Sequence, residues 1–381
     1  MTTIISKDKL IDYFVILLFV ITSGSVFYKI NFSGSLTYIL LLLVGFVNKQ
    51  RIKRNKAYNK IESNNSWWFI VFVSIWAIIG TFYYSHSYDD KNLLGYIFIL
   101  LAAYFIISSY NFCYFRKLLT NVIFVITLIG IPIFLLSEIN ILPTYTLKIP
   151  SGTEYTMFFT YTLGWPAIFH RYSGIWHEPG ACQIFSNTVL WLYLDSFIKW
   201  KWNKGELKKI MVIGAGSVLT LSTGSFISLM LLLASVALKS NIKSKHRIAI
   251  KVLVVLGAIV VVTLLFSSDV IQNKLFKDDT IEANTSKVAR TADALALYQM
   301  TLNRPWLGYG LGTHDYWTTT TKLGNTANST GLLTFSASFG VVWLIVFVVI
   351  IFIRIIKMGY GGASIFMLIS VLLMQFNENY V

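Results

Sequence analysis

Long apolar runs separated by short polar stretches dominate the chain. Set against the roughly 20 apolar residues that a helix needs to cross a bilayer, they predict spans near 11–30, 34–47, 66–84, 93–111, 118–142, 182–198, 210–221, 224–238, 249–266, 331–353 and 362–376. The pattern describes an all-α polytopic membrane protein, a single integral membrane unit over 1–381 with about 11 transmembrane helices. Two long extracytoplasmic loops interrupt it, at 143–181 and 267–330. The first apolar run follows Lys7 and Lys9 and shows no small-residue cleavage pattern, so it reads as an uncleaved first span with the N-terminus in the cytoplasm.

Composition agrees. At 55% hydrophobic and 13% charged residues, the chain carries more apolar surface than a soluble domain buries. The formal net charge of +15 would suggest nucleic acid in a soluble protein, but most of the basic residues fall in short loops that alternate to one side. Arg51 to Lys60, Arg116 and Lys117, Lys199 to Lys209, Lys239 to Lys251, and Arg354 with Lys357 make up that set. The surplus is therefore a positive-inside topology signal, and nucleic acid drops out as a partner. The stretch from Lys209 to Lys239 would be about 45 Å long as one helix, yet it is basic at both ends. It predicts a helical hairpin with its tip at Leu221-Ser-Thr-Gly-Ser225. Either the tip offers Ser222 and Ser225 to a ligand outside, or it is a helix break with small-residue packing. Cys113 and Cys182 fall at opposite membrane faces, which excludes a disulfide between them, and two cysteines build no metal cluster.

The densest chemistry lies in Arg171-Tyr-Ser-Gly-Ile-Trp-His-Glu-Pro-Gly180. Pro179 lacks an N–H and pushes Glu178 toward an extended conformation, so this stretch is a loop rather than a span. Glu178 has the chemistry of a general base, with His177 and His314 as competitors; the plainer reading is a turn residue or an arginine's ion-pair partner. In the second loop, residues 288–300 have helical spacing that Asn303-Arg304-Pro305 stops. The glycines of Trp306-Leu-Gly308-Tyr-Gly310-Leu-Gly312 lack the preceding strand of a nucleotide fingerprint, and they suit a tight turn against a ligand or a neighbouring helix. Arg171 and Arg290, one in each loop, offer planar forks of donors that match a diphosphate; each could instead pair with a carboxylate or a lipid headgroup. The many aromatic rings of 143–181 suit an interfacial belt or a sugar-binding groove.

The order of motifs resembles the O-antigen polymerase and ligase superfamily, most closely polymerases of the Wzy type. Arg171-x-Ser-Gly-Ile-x-x-Glu-Pro-Gly-Ala181 comes first and Leu221-Ser-Thr-Gly-Ser225 second. Arg290 with Pro305-x-x-Gly-x-Gly-x-Gly312, then Asn328, then Phe339-Gly340 complete it, over roughly 165–345. The resemblance implies a GT-C-like glycosyltransferase of the bacterial inner membrane, working at its periplasmic face without cofactor or metal. Its donor and acceptor would be undecaprenyl diphosphate-linked oligosaccharides, for O-antigen of lipopolysaccharide or for capsule, among membrane lipids and with a chain-length regulator protein as a partner. Arg171 and Arg290 match the family's diphosphate-binding arginines, and Arg304, Tyr309, His314 and Asn328 are further substrate-binding candidates beside His177, Ser222 and Ser225. The ligase branch carries a His-Asn pair where this chain has Ala327-Asn328-Ser329, which favours an inverting polymerase. An O-antigen ligase using the same donor and a non-enzymatic transporter or flippase are the alternatives.

Overall fold

A computed structural model describes residues 7–25, 34–54, 67–84, 91–148, 154–164, 171–239, 281–311, 313–324 and 331–377. The predicted span at 249–266, Asn328 and the side chain of Arg290 lie outside the described residues. The chain begins with helices α1 (Lys7–Thr22), α2 (Gly34–Arg54), α3 (Trp67–Tyr84), α4 (Lys91–Ile107) and α5 (Phe112–Glu138). Strands β1 (Tyr145–Lys148), β2 (Glu154–Phe158) and β3 (Tyr161–Gly164) follow. Then come α6 (Pro179–Leu192), α7 (Leu194–Lys199), α8 (Lys204–Leu219), α9 (Thr223–Lys239), α10 (Ile281–Asn303), α11 (His314–Lys322), α12 (Gly331–Phe339), α13 (Val341–Lys357) and α14 (Ala363–Asn377).

Every predicted span that falls on described residues is helical, although two depart from a plain rod. The stretch 182–198 starts earlier, at Pro179, and breaks at Tyr193 between α6 and α7. The run 331–353 is broken at Gly340, whose φ of +85° no continuous helix adopts. The hairpin forms as expected: α8 stops at Leu219, the chain turns through Leu221 in a left-handed conformation, and α9 resumes at Thr223. Among the described residues one helix, α5, is long and apolar enough to cross a membrane, while α3, α4, α9 and α14 hold shorter apolar segments. Helix length alone therefore does not set the number of crossings at eleven.

Large apolar side chains face outward along these helices, among them Leu43 and Val47 on α2, Ile75 and Ile79 on α3, and Ile345 and Val349 on α13. Polar ones turn inward. The Ser217 hydroxyl on α8 donates to Asn187 Oδ1 on α6 at 3.0 Å and lies 2.6 Å from Ser225 Oγ on α9. Trp191 Nε1 donates to Ser228 Oγ, itself 2.6 Å from Ser370 Oγ on α14. Small hydroxyl and amide residues inside with hydrocarbon side chains outside reverse the soluble arrangement and are consistent with a membrane protein.

The all-α expectation needs one correction, since 145–164 folds into an antiparallel sheet in the order β1-β2-β3. Its register pairs Tyr145 with Met157 and Lys148 with Glu154. Tyr155 and Met157 fill one face. Aromatic and threonine residues alternating over short runs are strand formers; Tyr155 is buried on that face, while Tyr145 and Phe159 stay exposed.

The bundle has a basic end and a loop end. At the basic end the Asp12 carboxylate on α1, fully buried, pairs with Arg51 of α2. It also accepts from the Tyr114 hydroxyl at 2.8 Å and the Tyr110 hydroxyl at 3.1 Å. An Asp12→Ala variant should lose on the order of 2–3 kcal/mol, because two phenols lose their acceptor and Arg51 its buried carboxylate, while Arg51 keeps Asp8 and Asn48. Thermal unfolding in detergent checks this. A melting temperature equal to the parent's would show that the cluster contributes nothing.

Candidate functional site

The loop from Arg171 to Glu178 is tied to the loop end of the bundle at every turn. Tyr172 is buried in a slot between α5 and α8. A β-carbon at Gly130 would stand 2.5 Å from its hydroxyl, so the slot exists only because residue 130 has no side chain. Tyr172 N–H donates to the Leu219 carbonyl at 3.1 Å. Arg171, only 9% exposed, donates from Nε to the Thr220 carbonyl at 2.9 Å. The Arg171 loop thus touches the end of α8, one residue before the hairpin tip. That bond also satisfies a carbonyl that the end of α8 leaves without a helical partner.

From there the chain turns through Gly174 (φ +61°), whose carbonyl accepts from the Thr162 N–H of β3 at 2.8 Å. Trp176 is fully buried and stacks on Phe185 of α6 with ring centroids 5.0 Å apart. It also bridges to Ser25 just beyond α1. His177 Nδ1 lies 2.7 Å from the Gly24 carbonyl oxygen, and its Nε2 lies 3.0 Å from Glu178 Oε1. Both ring nitrogens thus face oxygen atoms, one on the end of α1 and one on the neighbouring carboxylate. Glu178 is extended, as Pro179 demands, and Pro179 opens α6 at its first turn. The Glu178 side chain makes no capping bond to that helix and remains one-third exposed. Burial first, and the charge of Glu178 second, push the Tyr155 phenol up to about 12, which sets the sheet beside the carboxylate.

The two serines singled out at the tip have different surroundings. Ser222 is buried next to Thr220, with its N–H 3.4 Å from the Thr220 hydroxyl. Ser225 belongs to the interhelical network with Ser217 and Asn187, so the packing alternative describes that hydroxyl.

In the second loop, α10 ends at Asn303, and Pro305 to Gly310 enters the break between α12 and α13. Tyr309 N–H donates to the Ala337 carbonyl at 2.8 Å, Gly310 N–H to Ser338 at 2.9 Å, and Val341 N–H to Pro305 at 2.7 Å. Trp76 Nε1 of α3 donates to the Phe339 carbonyl at 2.8 Å. These bonds take up backbone groups that the broken helix would otherwise leave bare. The glycine turn approaches a neighbouring helix closely, as its glycines allow.

Arg304 and Tyr309 come together, with the guanidinium 4.1 Å from the ring centroid and 3.3 Å from Asp315. His314 opens α11, is exposed, and has its Nε2 3.3 Å from Thr318 one turn along the same helix. Arg290 lies on α10. One turn further, Asp293 is fully buried beside Tyr316 of α11. The Tyr316 phenol is pushed up chiefly by burial, with the charge of Asp293 adding to it. Asp293 had no distinguishing signal in the sequence beyond its three-residue spacing from Arg290.

Residues 210–331 match the family model described as O-Antigen ligase. The matched segment contains Ser222, Ser225, Arg290, Arg304, Tyr309, His314 and Asn328, while Arg171, His177 and Glu178 lie upstream of it. No curated protein and no solved structure matches the chain. Over about a third of its length, from α8 to the first residue of α12, the chain is similar to that family, which supports the O-antigen ligase and polymerase superfamily.

Proposed function

We propose that the chain is a glycan-processing membrane enzyme, a polymerase that elongates a polysaccharide at the outer face of the bacterial inner membrane. The growing glycan leaves its undecaprenyl diphosphate and joins the non-reducing-end hydroxyl of a second lipid-linked repeat unit. The observation that carries this reading is the bond from Arg171 to the Thr220 carbonyl. It joins the first loop's motif to the end of α8, just before the hairpin tip, inside the family-matched segment.

In this reading the acceptor hydroxyl oxygen attacks the donor's anomeric carbon, and the bond from that carbon to the diphosphate oxygen breaks with its electron pair staying on the diphosphate. Arg171 and Arg290 hold the diphosphate and offset the charge that develops there. Glu178 takes the hydroxyl proton, with His177, fastened to Gly24, fixing the orientation of the carboxylate. A single displacement inverts the anomeric centre, so one carboxylate suffices and no covalent intermediate forms. Confinement of both carriers to the membrane supplies proximity.

Purified protein in detergent with synthetic lipid-linked repeats is expected to make longer glycans, a result that transport cannot imitate because no compartments exist. Absence of any elongation under conditions where the protein stays folded would count against an elongating enzyme. Glu178→Gln should slow elongation by about 10²–10⁴-fold, the usual weight of a positioned general base. Full activity in that variant would remove Glu178 from the mechanism. The description of the matched family, O-Antigen ligase, favours a second reading in which the same donor is transferred to a lipid A core. Deletion separates the two: a remaining single-repeat product means polymerase, and loss of all attachment means ligase.

A further inference from the structure

At the basic end, opposite the Arg171 loop, the ends of α7 and α9 meet the turn between α13 and α14 around a cavity of about 530 Å3. Lys199, Lys201, Lys239, Asp195 and Tyr360 supply its polar lining. Asp195 is matched by Lys199 at 2.8 Å. Lys201 and Lys239 form no ion pair among the described residues, so the cavity holds more positive charge than the described residues offset. The Lys239 ammonium rests over Gly361, where a β-carbon would stand 2.5 Å from Nζ. This turn residue has φ of +54°. Tyr360 keeps its proton, since burial raises its phenol and the charge of Asp195 adds to the effect. Tyr360 lines the same space.

The rim is apolar. Ile198 and Met358 also line the cavity, and Leu238 beside it is 70% exposed. Two ammonium groups without an ion pair among the described residues, beside a phenol and next to apolar side chains, suit a phosphate that carries acyl chains.

We infer that this cavity binds a phosphate-bearing anion, as the headgroup of an anionic phospholipid or as free phosphate, at the end of the bundle opposite the Arg171 loop. The site rests on the basic end alone and does not depend on the glycan-transfer reading.

Thermal unfolding of the full-length protein in a neutral detergent tests it, with dioctanoyl phosphatidylglycerol, dioctanoyl phosphatidylcholine and sodium phosphate as separate probes at matched ionic strength. Saturating phosphatidylglycerol should raise the melting temperature by about 5 °C, and phosphatidylcholine should raise it much less. Lys201→Gln alone should roughly halve the shift, and Lys201→Gln with Lys239→Gln should abolish it while the lipid-free melting temperature stays near the parent's. If the double variant does not fold, the count of phosphatidylglycerol molecules retained by the Lys201→Gln protein in native mass spectrometry gives the same reading. A shift produced equally by sodium phosphate assigns the site to free phosphate; one produced by phosphatidylglycerol alone assigns it to the headgroup. A phosphatidylglycerol shift unchanged in the lysine variants, or no shift with either phosphate probe, would overturn the site.

Discussion

Arg171→Ala is expected to cut elongation by about 10²–10³-fold, the effect of removing one preorganised donor from a developing oxyanion, and to leave single repeats in place of long chains. Two terms combine. The first is loss of a fixed positive charge at the leaving diphosphate. The second is loss of the Nε bond to Thr220, which strips a buried carbonyl of its donor at a cost of about 1–3 kcal/mol and loosens the hairpin tip. Arg171→Lys keeps the charge but neither the planar fork nor the Nε geometry, so it should recover little. Arg290→Ala should give the same phenotype. The double variant should be scarcely worse than either single one, because groups that grip one leaving group act as a unit. Chain-length ladders from the variant strains and rates with purified protein check this. A normal ladder with Arg171→Ala at parental protein levels would sink the clamp.

The second large effect concerns the glycine turn that locks the second loop into the helix break. A β-carbon at residue 308 would lie 2.4 Å from the Ser338 carbonyl carbon and 2.6 Å from Phe339 N, both backbone atoms that no rotamer change can move. Its φ of +66° adds about 1–2 kcal/mol for any side chain. Gly308→Ala should therefore break the bonds from Tyr309 and Gly310 to α12 and lower the melting temperature sharply or prevent accumulation. Gly324→Ala is the control. It shares the left-handed backbone at φ +80° but has nothing within 4 Å of a β-carbon, so only the conformational strain applies. Gly214→Ala, in α8 and equally open, should be neutral or slightly stabilising. Equal melting temperatures for the 308 and 324 variants would refute the clamp between this turn and the broken helix.

The pattern of apolar runs was enough to locate the helices, and the basic loops were enough to infer the hairpin from Lys209 to Lys239, because hydrocarbon length and charge asymmetry act residue by residue along the chain. Pro179 likewise announced an extended Glu178, since its ring constrains the residue before it whatever the surroundings. The same local reasoning missed the sheet at 145–164, where alternating rings suit an interfacial belt and a strand equally well, and it read 331–353 as one helix. Gly340 breaks that helix only because the loop from Pro305 to Gly310 arrives to occupy the backbone groups it frees.

The chain's own order of residues determined its membrane character, the motif set and the residue types available for handling a diphosphate. Tertiary structure alone decided which of those residues meet. It fastened Arg171 to the Thr220 carbonyl just before the tip, held His177 between Gly24 and Glu178, and turned Ser225 inward to Ser217 and Asn187. The reason is geometric: apart from the adjacent His177–Glu178 pair, each contact joins segments from 8 to 153 residues apart, and such pairings arise from packing of whole helices rather than from any local preference.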